Sequence, residues 1–431
     1  MEVVSGGLAA QVSVGERARR RVMRRLIPFL FLLYIVAYLD RVNVGFAALQ
    51  MNEALGFSAR TYGLGSGIFF LSYVALEIPS NVILARVGAR LWIGRIMITW
   101  GIVSSAMMLV HSAAGFYTMR FLLGAAEAGF FPGIIFYLTR WFPERERART
   151  VAAFMTAVLV AGMIGGPVSG ALLSLNGAAG LAGWQWLFLL EGLPAVVLGI
   201  IVLAVLRERP ADASWLTVSE RAALTTCLRD EANARRGQPQ TAVAALTSRP
   251  VWLLAIVYFT IPVALYGMAF WLPQIIKTAS GGSDLEVGLL SAIPYIFGAI
   301  GMVVVGRHSD RTGERRWHVA LSAVIGGGAF AASAFVHTLI PSLVLLSIAM
   351  MGLASMFGPF WTLATSVVSG IGAAAGIALV NSVGNVGGFV GPYMLGYVLD
   401  TTHRFAAGFV CIGAILAAGG VLLIVLPDQR P

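Results

Sequence analysis

The sequence predicts an all-α membrane protein whose twelve transmembrane helices form two pseudo-symmetric six-helix bundles. Three observations carry the prediction. Of the 431 residues, 58% are hydrophobic and 12% charged, with a mean hydropathy of +0.83; soluble domains carry about 25% charged residues, so so much apolar surface calls for lipid around it. Apolar runs long enough to cross a bilayer recur twelve times. The two halves of the chain also repeat each other in a single register.

In chain order, residues 1–25 read as a cytoplasmic N-terminal tail, basic towards its end through Arg17, Arg19, Arg20, Arg21, Arg24 and Arg25. The apolar run that follows, Leu26 to Leu49, is about 36 Å long at ~1.5 Å per residue, too long for a signal-peptide core, so it reads as an uncleaved first span. The first bundle, 26–206, has spans near 26–49, 62–84, 92–111, 116–139, 150–172 and 184–206. Residues 207–249 form the one long polar connection, a cytoplasmic linker with a short surface helix around 219–234. The second bundle, 250–426, has spans near 250–276, 286–306, 317–337, 341–363, 374–399 and 405–426, and 427–431 is a cytoplasmic C-terminal tail.

The formal net charge is +10, but the basic residues lie between apolar runs and do not alternate with stacking aromatics, which argues against nucleic acid. With the N-terminus inside, 24 of the 30 Lys and Arg fall in cytoplasmic segments, three outside (Arg60, Lys277, Arg404) and three within spans (Arg41, Arg95, Arg120). That asymmetry predicts an even number of spans with both termini in the cytoplasm. Two cysteines, Cys227 and Cys411, make neither a disulfide framework nor a thiolate metal site.

The internal repeat runs from the second span to the fifth. Gly56, Ser58, Gly63 and Leu64 recur as Gly281, Ser283, Gly288 and Leu289; Arg86, Gly88 and Arg90 as Arg311, Gly313 and Arg315; Gly162, Gly166 and Pro167 as Gly387, Gly391 and Pro392. A duplicated six-helix unit is the architecture of carriers that rock two halves about a midplane site. The glycines and prolines at 166–167 and 391–392 read as close packing and kinks between helices. Arg86, Arg90, Asp310, Arg311 and Arg315 occupy short basic loops, where arginines signal topology and cap helix ends.

Ionisable groups inside spans cost ~2.5–3.5 kcal/mol each on insertion scales, so their presence asks for a reason. Asp40 and Arg41 are adjacent in the first span. Arg120 and Glu127 are seven apart in the fourth, on one helix face. Tyr34, Tyr38 and Arg41 share a face by the same spacing. One reading is a structural ion-pair network that specifies packing; the other is a proton-and-anion site. Glu77 and Glu191 lack a same-helix partner and are gating or structural candidates, Arg95 sits near a cytoplasmic end, and the five histidines fall at span ends or loops without ligand spacing.

The stretches YLDRVNVGFAA (38–48), EIPSN (77–81), RFLLGAAEAGFFPG (120–133), RWFPERERAR (140–149) and YGMAFWLP (266–273), with the basic loops ARVGAR (85–90) and GRHSDRTGERR (306–316), resemble the anion:cation symporter family of the major facilitator superfamily. Its members include bacterial permeases for tartrate, phthalate and sugar acids, and animal sialin and vesicular glutamate carriers. The chain departs from the superfamily's loop pattern at Ala85, where an acid is usual, and keeps the acid at Asp310. The resemblance implies the major facilitator fold and proton-coupled uptake of a small organic carboxylate by a monomer, with protons as the coupling ion, no other cofactor and no metal. It implies that Asp40 and Glu127 are the protonating carboxyls, that Arg41 ties protonation to substrate, that Arg120 binds the substrate carboxylate, and that Tyr38 and Tyr73 are pocket residues. Tyr266, Trp361, Asn381 and Asn385 join them from the second half, although each serves equally as packing or as a polar bridge between helices. An anion exchanger or uniporter of the same fold is the nearest alternative. A membrane-embedded transferase needs a nucleophile–base or metal constellation at one membrane face, and the sequence offers none.

Overall fold

A computed structural model of the chain describes residues 2–143, 146, 150–151, 154–234, 246–367 and 372–425. The first half comprises α1 (Glu2–Leu55), α2 (Ala59–Val87), α3 (Ala89–Ala106), α4 (Ala113–Glu127), α5 (Phe130–Thr139), α6 (Ala157–Leu173) and α7 (Gly183–Val205). α8 (Val218–Ala234) lies in the linker. The second half comprises α9 (Arg249–Ser280), α10 (Asp284–Thr312), α11 (Arg316–Ala332), α12 (Leu339–Val367), α13 (Gly372–Thr402) and α14 (Phe405–Val425). With α4 and α5 stacked end to end as one crossing, these make twelve spans. Among the described residues, ten crossings are both long and apolar enough to span a membrane. The other two are α6, whose described part has 17 residues, and α13, whose first residues are only partly described. The tail at 427–431, linker residues 235–245, part of RWFPERERAR and residues 152–153 of the fifth span lie outside the described residues.

The fourth span is broken, where the sequence reads as one continuous run. Gly129 adopts a left-handed φ of 87°, which ends α4 at Glu127 and restarts the helix at Phe130. The break leaves the Ala128 carbonyl to be satisfied from outside the helix. Ser80 Oγ donates to it at 2.6 Å and in turn accepts from Trp92 Nε1 at 2.9 Å.

The repeat register has a structural cause. Ser58 caps α2 by accepting from Thr61 N, and its counterpart Ser283 caps α10 in a reciprocal box with Glu286. Their glycines, Gly56 and Gly281, turn the chain at φ 64° and 62°.

The halves meet through the helices that these caps begin. α2 packs on α13 so closely that a Cβ on Gly63 would stand 2.6 Å from the Pro392 carbonyl oxygen. The symmetry mate of this contact is α6 on α10, where Gly166 faces Gly288 and a Cβ on Gly170 would stand 2.7 Å from the Asp284 carbonyl oxygen. Gly391 instead faces Val263, within the second half. Polar ties seal the same end: Ser58 Oγ donates to Asp400 Oδ2 (2.8 Å), Tyr62 Oη to the Phe270 carbonyl (2.7 Å) and Gln50 Nε2 to Asp284 Oδ2 (2.7 Å). The molecule is thus closed at the end carrying the 56–58 and 281–283 loops.

The opposite end carries the basic loops. Asp310 pairs with Arg315 at 2.7 Å, and Arg86 and Arg311 are exposed. In the first half, where position 85 is alanine, Glu208 supplies the acid from the end of α7. It accepts from the backbone N–H groups of Arg90 (2.7 Å) and Ala89 (3.1 Å) at the start of α3 and pairs with Arg140 at 3.1 Å. The linker docks here: Arg21 pairs with Glu220 at 2.8 Å, and Trp215 stacks on Trp141.

Candidate functional site

A central cavity of about 70 Å³ lies between the halves. Its walls carry Tyr34, Tyr38 and Arg41 from α1, Tyr73 from α2, Phe131 from α5, Tyr258 and Tyr266 from α9, Trp361 from α12, and Asn381 and Asn385 from α13; Met302 and Met350 complete its apolar side. Val158 and Leu159 of α6, Tyr258 and Pro262 of α9, and Asn381 and Asn385 of α13 fall in the halves of those helices nearer the basic loops, with Leu265 and Tyr266 at the middle of α9, so the cavity sits away from the sealed end. Helical spacing builds the walls: Tyr34, Tyr38 and Arg41 repeat at one turn, as do Tyr258, Pro262 and Tyr266.

Arg41 is the charged group of this cavity. Its guanidinium is buried, ion-paired through Nη2 with Glu127 Oε1, and donates through Nη1 to Tyr266 Oη at 3.0 Å. The rings of Phe69 and Tyr73 lie 5.4 and 5.3 Å from it. Arg41 and Tyr266 are 225 positions apart, so the contact joins two repeat mates across the pseudo-symmetry axis. In the same register Asp40, Arg120 and Glu127 correspond to Leu265, Leu345 and Gly352, which concentrates the buried charge in the first half.

Asp40 faces away from Arg41. Adjacent helix positions point about 100° apart, and the Asp40 carboxylate turns to α3, accepting from Trp100 Nε1 (2.5 Å), Ser104 Oγ (2.7 Å) and, within α1, Asn43 Nδ2 (3.3 Å). Its hydrogen-bond partners are neutral donors, not the arginines read from the sequence. Arg120 is also outside the cavity wall. It lies one to two turns towards the sealed end, donates through Nη2 and Nε to the Ser66 and Gly65 carbonyls (3.1 and 3.4 Å), and packs over Phe69 of the first half and Phe270 of the second. Glu77 is buried beside the cavity and ties the halves together, its Oε1 accepting from Asn381 Nδ2 at 3.0 Å.

The cavity residues that sequence reasoning named (Tyr38, Arg41, Tyr73, Tyr266, Trp361, Asn381 and Asn385) therefore share one wall space, while Asp40, Glu127 and Arg120 lie behind it. Tyr258 and Phe131 were missed. Tyr258 had a signal, the eight-residue spacing to Tyr266; Phe131 had none, because its orientation depends on the break at Gly129.

The Major Facilitator Superfamily model matches residues 30–392. The chain belongs to the major facilitator superfamily. It is 47% identical over 415 residues to a protein of Agrobacterium vitis named "Putative tartrate transporter", covering 96% of this chain and 92% of that one. It is 41% identical over 408 residues to a quinolone resistance transporter of Acinetobacter baumannii, covering 94% of each. Among solved structures, the partially occluded inward-open xylose transporter XylE of Escherichia coli superposes with a TM-score of 0.74 at 13% identity, covering 94% of this chain and 98% of that one, a likeness of fold alone. As a superfamily member the chain is a multi-pass membrane transporter of a small molecule and not an enzyme, and its relatives accord with the anion:cation symporter resemblance.

Proposed function

We propose that the protein is a proton-coupled symporter that takes up a small organic carboxylate by alternating access. It works as a monomer in a bacterial inner membrane with both termini cytoplasmic, and needs no cofactor beyond the coupling proton. The observation that carries this reading is the placement of Arg41: a buried guanidinium in the cavity wall, already holding a carboxylate of its own. Guanidinium suits planar carboxylates bidentately. The name of the Agrobacterium vitis relative refers to tartrate, a dicarboxylate.

An incoming acid competes with Glu127 for Arg41. A carboxyl that loses its guanidinium partner in low dielectric favours its protonated form, so anion and proton bind cooperatively by reciprocal linkage. Tyr38, Tyr73, Tyr266, Asn381 and Asn385 supply hydrogen bonds to the substrate's remaining oxygens, and Trp361 a flat apolar surface. Asp40 acts as a second protonating carboxyl behind the wall. Arg120 meets substrate only when the sealed end opens, because Phe69 and Phe270 cover it in the closed form. Glu77, through Asn381, gates the other end. With anion and proton aboard, the site is charge-compensated and the halves rock past each other.

Purified protein in proteoliposomes tests this with tartrate as the probe. Symport predicts that adding tartrate outside empty vesicles alkalinises the medium and that an inward proton gradient accumulates tartrate. Uptake that requires an internal anion and moves no protons assigns the chain to the exchangers instead.

A further inference from the structure

Among the described residues, the first bundle buries four carboxyl groups, Asp40, Glu77, Glu127 and Glu191, against two buried guanidiniums, Arg41 and Arg120. Arg95 is only partly buried and lies over the Trp92 ring. Unpaired buried charge is costly, so this count favours two of the four acids being neutral. The hydrogen bonds say which. Glu127 holds Arg41, and Asp40 accepts from three donors, the pattern of an acceptor-only carboxylate. Glu77 and Glu191 differ: each accepts through Oε1, Glu77 from Asn381 Nδ2 at 3.0 Å and Glu191, on α7, from Ser169 Oγ of α6 at 2.7 Å, while the Oε2 of each is buried with no partner. Glu77 takes its donor from the second half, whereas Glu191 lies within the first.

Asn43 of α1 stands between Glu191 and Asp40. Its side chain neighbours the Glu191 carboxyl, its Nδ2 donates to Asp40, and its Oδ1 is buried without a donor. Two orphan acceptors on neighbouring groups lack one hydrogen between them. From α1 come Asp40 and Asn43, from α6 Ser169, and from α3 the uncharged Trp100 and Ser104 that hold Asp40; among the described residues no cation pairs with Glu191. None of these side chains lines the substrate cavity.

We propose that Glu191, Asn43 and Asp40 form a proton-binding site behind the substrate cavity, one proton being held on Glu191 and shared with Asp40 through the Asn43 amide. With the amide as it stands, protonated Glu191 donates to Asn43 Oδ1 and ionised Asp40 accepts from Nδ2. Turning the amide over suits the converse state, in which the O–H bond on Glu191 has broken and one has formed on Asp40, with the number of protons unchanged. α1 carries this site on one side and Arg41 on the other, so proton occupancy and substrate binding act on the same helix. Use of the site in transport rests on the proposed symport; its occupancy does not.

Infrared difference spectroscopy on the full-length protein in nanodiscs, exchanged between H₂O and D₂O, reads the carbonyl stretch of buried protonated carboxyls. Glu191→Gln removes one such band at neutral pH, and Ser169→Ala, which deletes only the donor to Oε1, shifts the frequency of that band in a protein that folds. An unchanged spectrum in both variants overturns the proposal. Tartrate-induced alkalinisation by wild-type proteoliposomes is measured alongside: its absence counts against the symport, while a band lost in Glu191→Gln still establishes the site.

Discussion

At the residue scale, the decisive distinction is between acids that hold a guanidinium and acids that do not. Glu127→Gln frees Arg41 from its internal competitor while keeping the side-chain shape. A charge-assisted bond is worth about 1.5–3 kcal/mol, so tartrate binding measured by calorimetry tightens by roughly ten-fold or more and loses its proton uptake; weaker binding in this variant removes Glu127 as the competitor. Asp40→Asn behaves differently, because an amide sets its own N–H₂ against one of the three donors from Trp100, Ser104 and Asn43. Proton-driven tartrate accumulation is abolished, and the unsatisfied donor lowers stability by about 1–3 kcal/mol in thermal unfolding. Arg120→Lys keeps the charge but loses the fork that spans the Gly65 and Ser66 carbonyls. A lower melting temperature with unaltered tartrate affinity in the closed form is the expected pair of results; loss of affinity there places Arg120 in the cavity after all.

At the scale of elements, the broken fourth span positions the site, since Glu127 reaches Arg41 from the last turn of α4. Gly129→Ala forces a side chain into a left-handed conformation and onto Ser80, at a cost of about 1–3 kcal/mol. Gly328→Ala, in α11 with nothing near its Cβ position, is instead neutral or stabilising by about 0.5–1 kcal/mol. Similar melting temperatures for the two variants refute this account of the break. The same break shows where sequence reading stops. Spans are legible because lipid imposes length and apolarity, and the cavity tyrosines because one helix face repeats every turn. What a residue meets on another helix has no such period. Trp100 and Ser104 lie some 60 positions from the Asp40 they hold, and Glu208 reaches α3 from the end of α7. The adjacency of Asp40 and Arg41 even misleads, since neighbours on a helix face different partners. Trp141 and Trp184 stand near the ends of their spans, where a tryptophan ordinarily marks the membrane interface, yet both are buried inside the protein.

At the scale of the whole molecule, near-symmetric halves carry asymmetric chemistry. The backbone contacts come in mated pairs, Gly63 on Pro392 and Gly288 on Gly166, which lets either half serve as a rigid body for the other. The charge sits in one half, so substrate binding there is felt by the other through few ties, chiefly Arg41 to Tyr266 and Glu77 to Asn381. Rocking then requires the sealed end to part. Ser58, the cap of α2, and Asp400 of α13, hydrogen-bonded at 2.8 Å, mark that seal. In a background without Cys227 and Cys411, Ser58→Cys with Asp400→Cys joined by a short thiol cross-linker holds the seal shut, and tartrate uptake falls to the level of empty vesicles. A cleavable linker restores uptake on reduction. Joining His308→Cys to His318→Cys, two neighbours within the second half at the opposite end, leaves uptake intact. Uptake that persists across a complete Ser58–Asp400 cross-link means that the substrate crosses without the halves separating there, and alternating access about this seam is then the wrong description of the protein.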